Sequence, residues 1–200
     1  MPIARRPYGG VSAVDRVAAR RARLMDATLA IIGEHGVAAV TVDLICSEAQ
    51  LGKRYFYESF ADRDTLLVAL ADDLYTDIRV AMEVAMPDTG GRRARSEAVV
   101  RMLLEVLGRD SRRARLYAES AGHPALGPRR AEAVEEFTGF VCSVVLPPPL
   151  LPGETETTKY LACRLLVSGT TDIVVAWLSG EIRATPEEIV RAIVDTGAGA

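Results

Sequence analysis

The sequence predicts an all-α protein, on three observations. No segment alternates apolar and polar residues as a half-buried strand does. Ala, Leu, Val, Arg and Glu dominate, and aromatic residues make up only 6%. Apolar residues recur at helical spacing in stretches that glycine, proline and capping residues punctuate.

Residues 1–12 carry Pro2, Pro7, Gly9 and Gly10 and read as an arm without an apolar core, unlike a signal peptide. The first helix is predicted from about Asp15 to His35. Leu24, Ala27 and Ile31 make one apolar row, with Met25, Leu29 and Ile32 beside it. Gly36 ends it, and His35 suits the negative end of the helix dipole better than a catalytic role. Thr41 is a good N-cap for a short helix bearing Val42, Ile45 and Ala49. Gln50-Leu51-Gly52 breaks the pattern before a second short helix, about Lys53 to Phe60.

A long helix starts at Ala61-Asp62, turns Leu66, Leu67, Leu70, Leu74 and Ile78 inward, and stops before Pro87. Asp88 to Arg95 is expected to be a loop, followed by a helix from about Ser96 to Leu107. Asp110 or Ser111 caps the next, which ends near Gly122. Another runs from about Gly127 to Val145. Leu146 to Gly153 holds four prolines and is a loop. The last two helices run from Glu156 to Leu178 and from Thr185, with Thr185 as cap and Pro186 at the first helical position.

The largely apolar stretch from Tyr160 to Leu178 also holds Arg164, Ser168, Thr170, Thr171 and Asp172, which are costly in hydrocarbon. A buried or interface helix of a soluble protein accounts for it better than a membrane span. Arg164 and Asp172 want partners: across a dimer interface, on a ligand, or in water. Cys46, Cys142 and Cys163 are odd in number, lack paired spacing and read as small buried thiols, which suits the cytoplasm.

Net charge is −3, so the chain is no basic coat for nucleic acid. Residues 1–60 nevertheless carry 8 Lys+Arg against 6 Asp+Glu, while the remainder carries 16 against 21. A slightly basic front on an acidic body fits a local contact with phosphates. Enzyme chemistry finds no support: there is no nucleophile elbow, no HExxH, no phosphate loop, and the two histidines lack metal spacing. No metal site, catalytic residue or cofactor is expected.

Two short helices around a tight turn, preceded by a longer apolar helix, are what a helix-turn-helix needs. Lys53, Arg54, Tyr55, Tyr57 and Glu58 can face outward while Phe56 and Phe60 anchor the helix. Arg and Lys suit guanine edges or phosphates, and Tyr hydroxyls suit phosphate oxygens. Periodicity alone fits an ordinary helical hairpin with a polar outer face equally well.

The residues go further than the periodicity. Arg23-Leu24-Met25-Asp26-Ala27, Glu34-His35-Gly36, Thr41-Val42-Asp43-Leu44-Ile45, Lys53-Arg54-Tyr55-Phe56-Tyr57, Phe60 and Leu66-Leu67 resemble the N-terminal domain of the TetR family of transcription regulators. The resemblance covers about 45 contiguous residues; the rest of the chain agrees in architecture only. It implies about nine helices in an Ω-like homodimer, repression more often than activation, and release from an operator by a small molecule. It divides the chain into an arm and helix-turn-helix at 1–62 and a helical ligand-binding and dimerisation domain at 63–200. It places Thr41 and Tyr57 on phosphates, Lys53, Arg54 and Tyr55 near base edges, and Arg63 near the DNA backbone. Four positions depart from the family pattern: Gln50 stands for a turn Gly, Gly52 for a Ser cap, Tyr55 for Thr and Ser59 for His. Those at Gln50 and Ser59 keep an alternative open, a helical adaptor that has lost specific DNA contact.

For the larger domain, Met82, Met102, Tyr117, Phe137, Phe140, Cys163, Thr170 and Trp177 are the candidate pocket residues. Core packing competes for each, and their mixture suits an apolar or amphipathic effector. The final two helices, with small Ser168 and Gly169 and large Trp177, suit a four-helix dimer seam. The expected partners are therefore duplex DNA, a small molecule and a second copy of the chain, with no membrane.

Overall fold

The computed structural model describes residues 13–87, 89–147, 153 and 155–198. Among them are nine α-helices and no strand: α1 (Ala13–His35), α2 (Val42–Glu48), α3 (Lys53–Ser59), α4 (Arg63–Val84), α5 (Gly91–Gly108), α6 (Ser111–Glu119), α7 (Leu126–Phe140), α8 (Glu156–Leu178) and α9 (Pro186–Ala198). The expected N-terminal arm and most of the proline-rich loop at 146–153 lie outside the described residues.

Local chemistry explains most boundaries. Thr41, Asp62, Asp110 and Thr155 each accept a backbone N–H of the helix they begin. At α9 the Thr185 hydroxyl accepts from the Glu188 N–H at 3.2 Å, and the Glu188 carboxylate accepts from the Thr185 N–H at 2.8 Å. These contacts satisfy donors that the helix leaves open. Gly180, at φ 78°, closes α8 while the Glu181 N–H donates back to the Ala176 carbonyl at 2.9 Å.

Two boundaries differ from expectation. Residues 91–95 are not loop: α5 begins at Gly91, behind a left-handed Gly90, because Arg92 to Arg95 are good helix formers once the glycine pair has made the turn. The helix predicted from Gly127 to Val145 is regular to Phe140 and then widens into a π-type turn over Val141–Val145.

The helices share one continuous core, from Leu24 on α1 through Ile45, Phe56, Leu66, Leu74 and Leu107 to Val194 on α9. α1 packs against α2, α3 and α6; α4 against α5, α6 and α7; α8 against α6, α7 and α9; and α5 against α9. The small three-helix head is therefore joined to the body at two places, through α4 and through the α1–α6 contact. Cys46 and Cys163 are buried, Cys142 is half-buried, and all three are free thiols. Arg164 pairs within the chain, its Nη1 lying 2.6 Å from Glu135 on α7, and Asp172 is exposed.

Candidate functional site

The head presents α3 to solvent. Phe56 is fully buried and Phe60 nearly so, which pins the helix to the core. Their neighbours Lys53, Arg54, Tyr55 and Tyr57 are exposed on its outer side. Thr41 Oγ1 caps α2 by accepting from the Leu44 N–H at 3.2 Å. The turn between α2 and α3 is closed by the Gln50 N–H donating to the Ser47 carbonyl at 3.1 Å and the Leu51 N–H to Cys46 at 3.0 Å. This wrap requires a left-handed residue, and Gln50 takes it at φ 50°.

The outer face is electrostatically balanced. Lys53 Nζ lies 2.6 Å from Asp43 Oδ1, joining α2 to α3, and that hydrogen bond raises the Lys53 ammonium above its ordinary pKa. Arg54 Nε lies 2.9 Å from Glu58 one turn on, yet its side chain is 86% exposed and free to swing. Arg63 is turned inward: Nε donates to Asp64 at 2.8 Å and Nη1 to the Val40 carbonyl at 3.4 Å.

Three arginines of α1, unmarked in the sequence as part of this site, also reach it. The Arg20 guanidinium sits 4.7 Å from the centre of the Tyr55 ring and 3.8 Å from Glu58. Arg21 stacks on Phe60 at 4.2 Å and donates to the Ser59 carbonyl at 3.3 Å. Arg23 donates to the Ala49 carbonyl at 2.6 Å, at the C-terminal end of α2. These cations meet the carbonyl ends of both short helices, where the dipole favours them. The available signal was their crowding within one turn of α1.

In the body, α4, α5, α6, α7, α8 and α9 surround a cavity of about 90 Å³. Of the candidate pocket residues, Met82, Tyr117, Phe137 and Thr170 line it. Met102 lines a separate surface groove between α4 and α5. Phe140 and Cys163 are buried outside the cavity lining, and burial with a neighbouring Cys142 pushes the Cys163 thiol up to about 12. Trp177 closes the α8–α9 turn, its Nε1 donating to the Ala184 carbonyl at 3.0 Å. Tyr75, Ile78, Arg130, Leu166 and Thr171 also line the cavity and were not anticipated. Burial pushes the Tyr117 hydroxyl up to about 12 and raises Tyr75 as well, so both remain neutral donors at physiological pH. Among the described residues no group of three metal-ligating side chains occurs.

The head thus has the geometry of a helix-turn-helix, with α3 as its outward helix. Residues 24–70 match the family model described as bacterial regulatory proteins, tetR family. Among curated proteins no sequence matches the chain significantly. Solved structures share the fold. A TetR-family regulator from Syntrophomonas wolfei superimposes with a TM-score of 0.74 at 14% identity, over 90% of this chain and 94% of that one. The fatty acid degradation regulator FadR from Bacillus halodurans gives 0.75 at 15% identity, over 90% and 95%. The multidrug binding protein EbrR, complexed with imidazole, gives 0.63 at 23% identity, over 88% and 93%. Residues 24–70 thus match a tetR-family domain, and the chain as a whole has the fold of TetR-family transcriptional regulators.

Proposed function

We propose that this chain is a transcriptional repressor that binds operator DNA as a homodimer and leaves it when a small apolar or amphipathic molecule enters the body. The observation that carries the reading is α3 itself: a seven-residue helix anchored by Phe56, with Lys53, Arg54, Tyr55 and Tyr57 exposed in one turn and a half. Lys53, Arg54 and Tyr55 face base edges, Thr41 and Tyr57 hold phosphates, and Arg63 steadies the entry to α4 near the backbone. The chain divides functionally at about residue 62.

The cavity supports the sensing half. Tyr75, Ile78 and Met82 of α4 line it, and the other end of α4 is tied to α3 through residues 60–62. Tyr117 of α6 lines it too, while Arg112 and Arg115 of the same helix grip α1 and Glu119 holds the turn that follows it at Val37. A ligand that shifts either helix shifts the head, and the coupling expected of such a lever is about 1–3 kcal/mol. EbrR, with this fold, is a multidrug binding protein, which agrees with a small-molecule site in the body. Charged groups along α8 and its exposed apolar stripe favour a cytoplasmic dimer over a membrane span. By length and composition alone, α8 is long and apolar enough to cross a bilayer.

Lys53→Ala and Arg54→Ala test the reading on operator duplex. Each is expected to weaken specific binding by about 1–3 kcal/mol where it reads a base, with less loss on random DNA. Wild-type affinity in both variants would contradict it. The ion pairs to Asp43 and Glu58 favour a second reading, an adaptor without DNA contact; its signature is no salt-dependent binding to any duplex.

A further inference from the structure

Among the described residues, Arg130 is the single charged one in the lining of the body cavity; the rest is apolar except for Ser96, Thr170, Thr171 and the two tyrosines. Its Nη1 is buried and has no hydrogen-bond acceptor. The nearby carboxylates are committed elsewhere. Asp72, Glu132 and Glu136 face the preceding residue, Arg129, and Glu135 is held by Arg164 and the Tyr160 hydroxyl. The tyrosines stay neutral, as burial holds their protons on. Arg130 as a whole is half-buried, and the one nitrogen of its guanidinium that is shut off from water lacks an acceptor, a position that a counter-charge arriving with a ligand would relieve.

We propose that the cavity takes a monocarboxylate with an apolar body, its carboxylate on Arg130 and its tail between α4, α5 and α7. This deepens the reading of the cavity as the effector site and rests on it. One guanidinium balances one negative charge, and its planar fork matches a carboxylate in two parallel hydrogen bonds. The cavity has room for about six to nine waters, enough for a short apolar chain. Ile78, Val99, Leu103, Phe137 and Val141 supply the surface that chain needs.

Calorimetric titration of the full chain with octanoate, 1-octanol and octylamine separates headgroup from tail. Octanoate is expected to bind at least tenfold more tightly than octanol, and octylamine more weakly than either. Arg130→Gln should bring octanoate down to the octanol level and leave octanol unchanged, and Arg130→Lys should keep part of the preference. The ligand comparison uses the wild-type chain, so it stands even if a variant folds poorly. Equal binding of acid and alcohol overturns the carboxylate assignment and leaves the cavity as an apolar sensor. Failure of all three to bind overturns both.

Discussion

Gln50 holds a left-handed conformation, φ 50°, that an L side chain takes only at a cost of about 1 kcal/mol. It does so because the chain must reverse between α2 and α3 while the Leu51 and Gln50 amides reach back to the end of α2. Gln50→Gly removes that strain but loosens the unfolded chain. The expected result is a net gain of about 0.5–1 kcal/mol by chemical denaturation with DNA binding retained. No gain would mean that the exposed Gln side chain makes a compensating contact. The resemblance to the TetR family marked Gln50 as standing where a turn Gly is usual, and the caps at Thr41 and Thr185 were legible in the sequence, since each depends on a few neighbouring residues. The role of Arg130 was not. Arg129 and Arg130 look alike as a charged pair after Pro128, and that Arg129 rather than Arg130 is matched by acids depends in part on Asp72, 57 residues away on α4. The same holds for Phe140 and Met102: spacing says they face inward, and only the packing of distant helices says which inward surface borders the cavity.

At the scale of elements, the join between head and body is the least replaceable feature. Gly36 ends α1 at φ 87°, ψ 168°, a backbone region that essentially only glycine occupies. A Cβ placed there would lie 2.9 Å from both Arg115 Nη2 and Glu119 Oε2. Those groups are in use: Arg115 donates to the Gly33 carbonyl at 3.1 Å, and Glu119 accepts from the Val37 N–H at 2.7 Å. Gly36→Ala is therefore expected to destabilise the fold by about 1–3 kcal/mol. At roughly 2–4 °C per kcal/mol for a chain of this size, a thermal melt will resolve it. An unchanged melting temperature would show that this join does not hold head to body. The sequence pointed to Gly36 as a helix stop but not to its second duty, because α6 is more than 70 residues further along. The three helices of the head were legible for the opposite reason: their apolar rows and breaks lie within 50 residues. The early start of α5 was not, since arginines beside two glycines read equally as loop or first turn.

At the scale of the whole molecule, α8 has two faces. Leu166, Val167, Thr170 and Thr171 turn to the cavity. Leu161, Leu165, Ser168 and Asp172 lie along the other side, with Leu161 58% and Leu165 73% exposed. Spaced at one helical stripe, they make a strip, apolar at Leu161 and Leu165 and polar at Ser168 and Asp172, that a second copy of α8 and α9 would cover in the proposed four-helix seam. Sedimentation at micromolar concentration is expected to give a dimer, and Leu165→Glu to shift it toward monomer; a wild-type monomer would remove this interface.

The proposed dimer matters because one short recognition helix would read too few base pairs, whereas two related by a dyad would read half-sites about 34–36 Å apart or a multiple of that. The most direct measurement is selection of duplex fragments from a random pool by the purified protein. The prediction is a recovered sequence with two-fold related halves, bound less tightly as salt rises and lost in Lys53→Ala. Recovery of no common sequence, with equal retention by the Lys53→Ala variant, would contradict the assignment of this chain as a DNA-reading regulator.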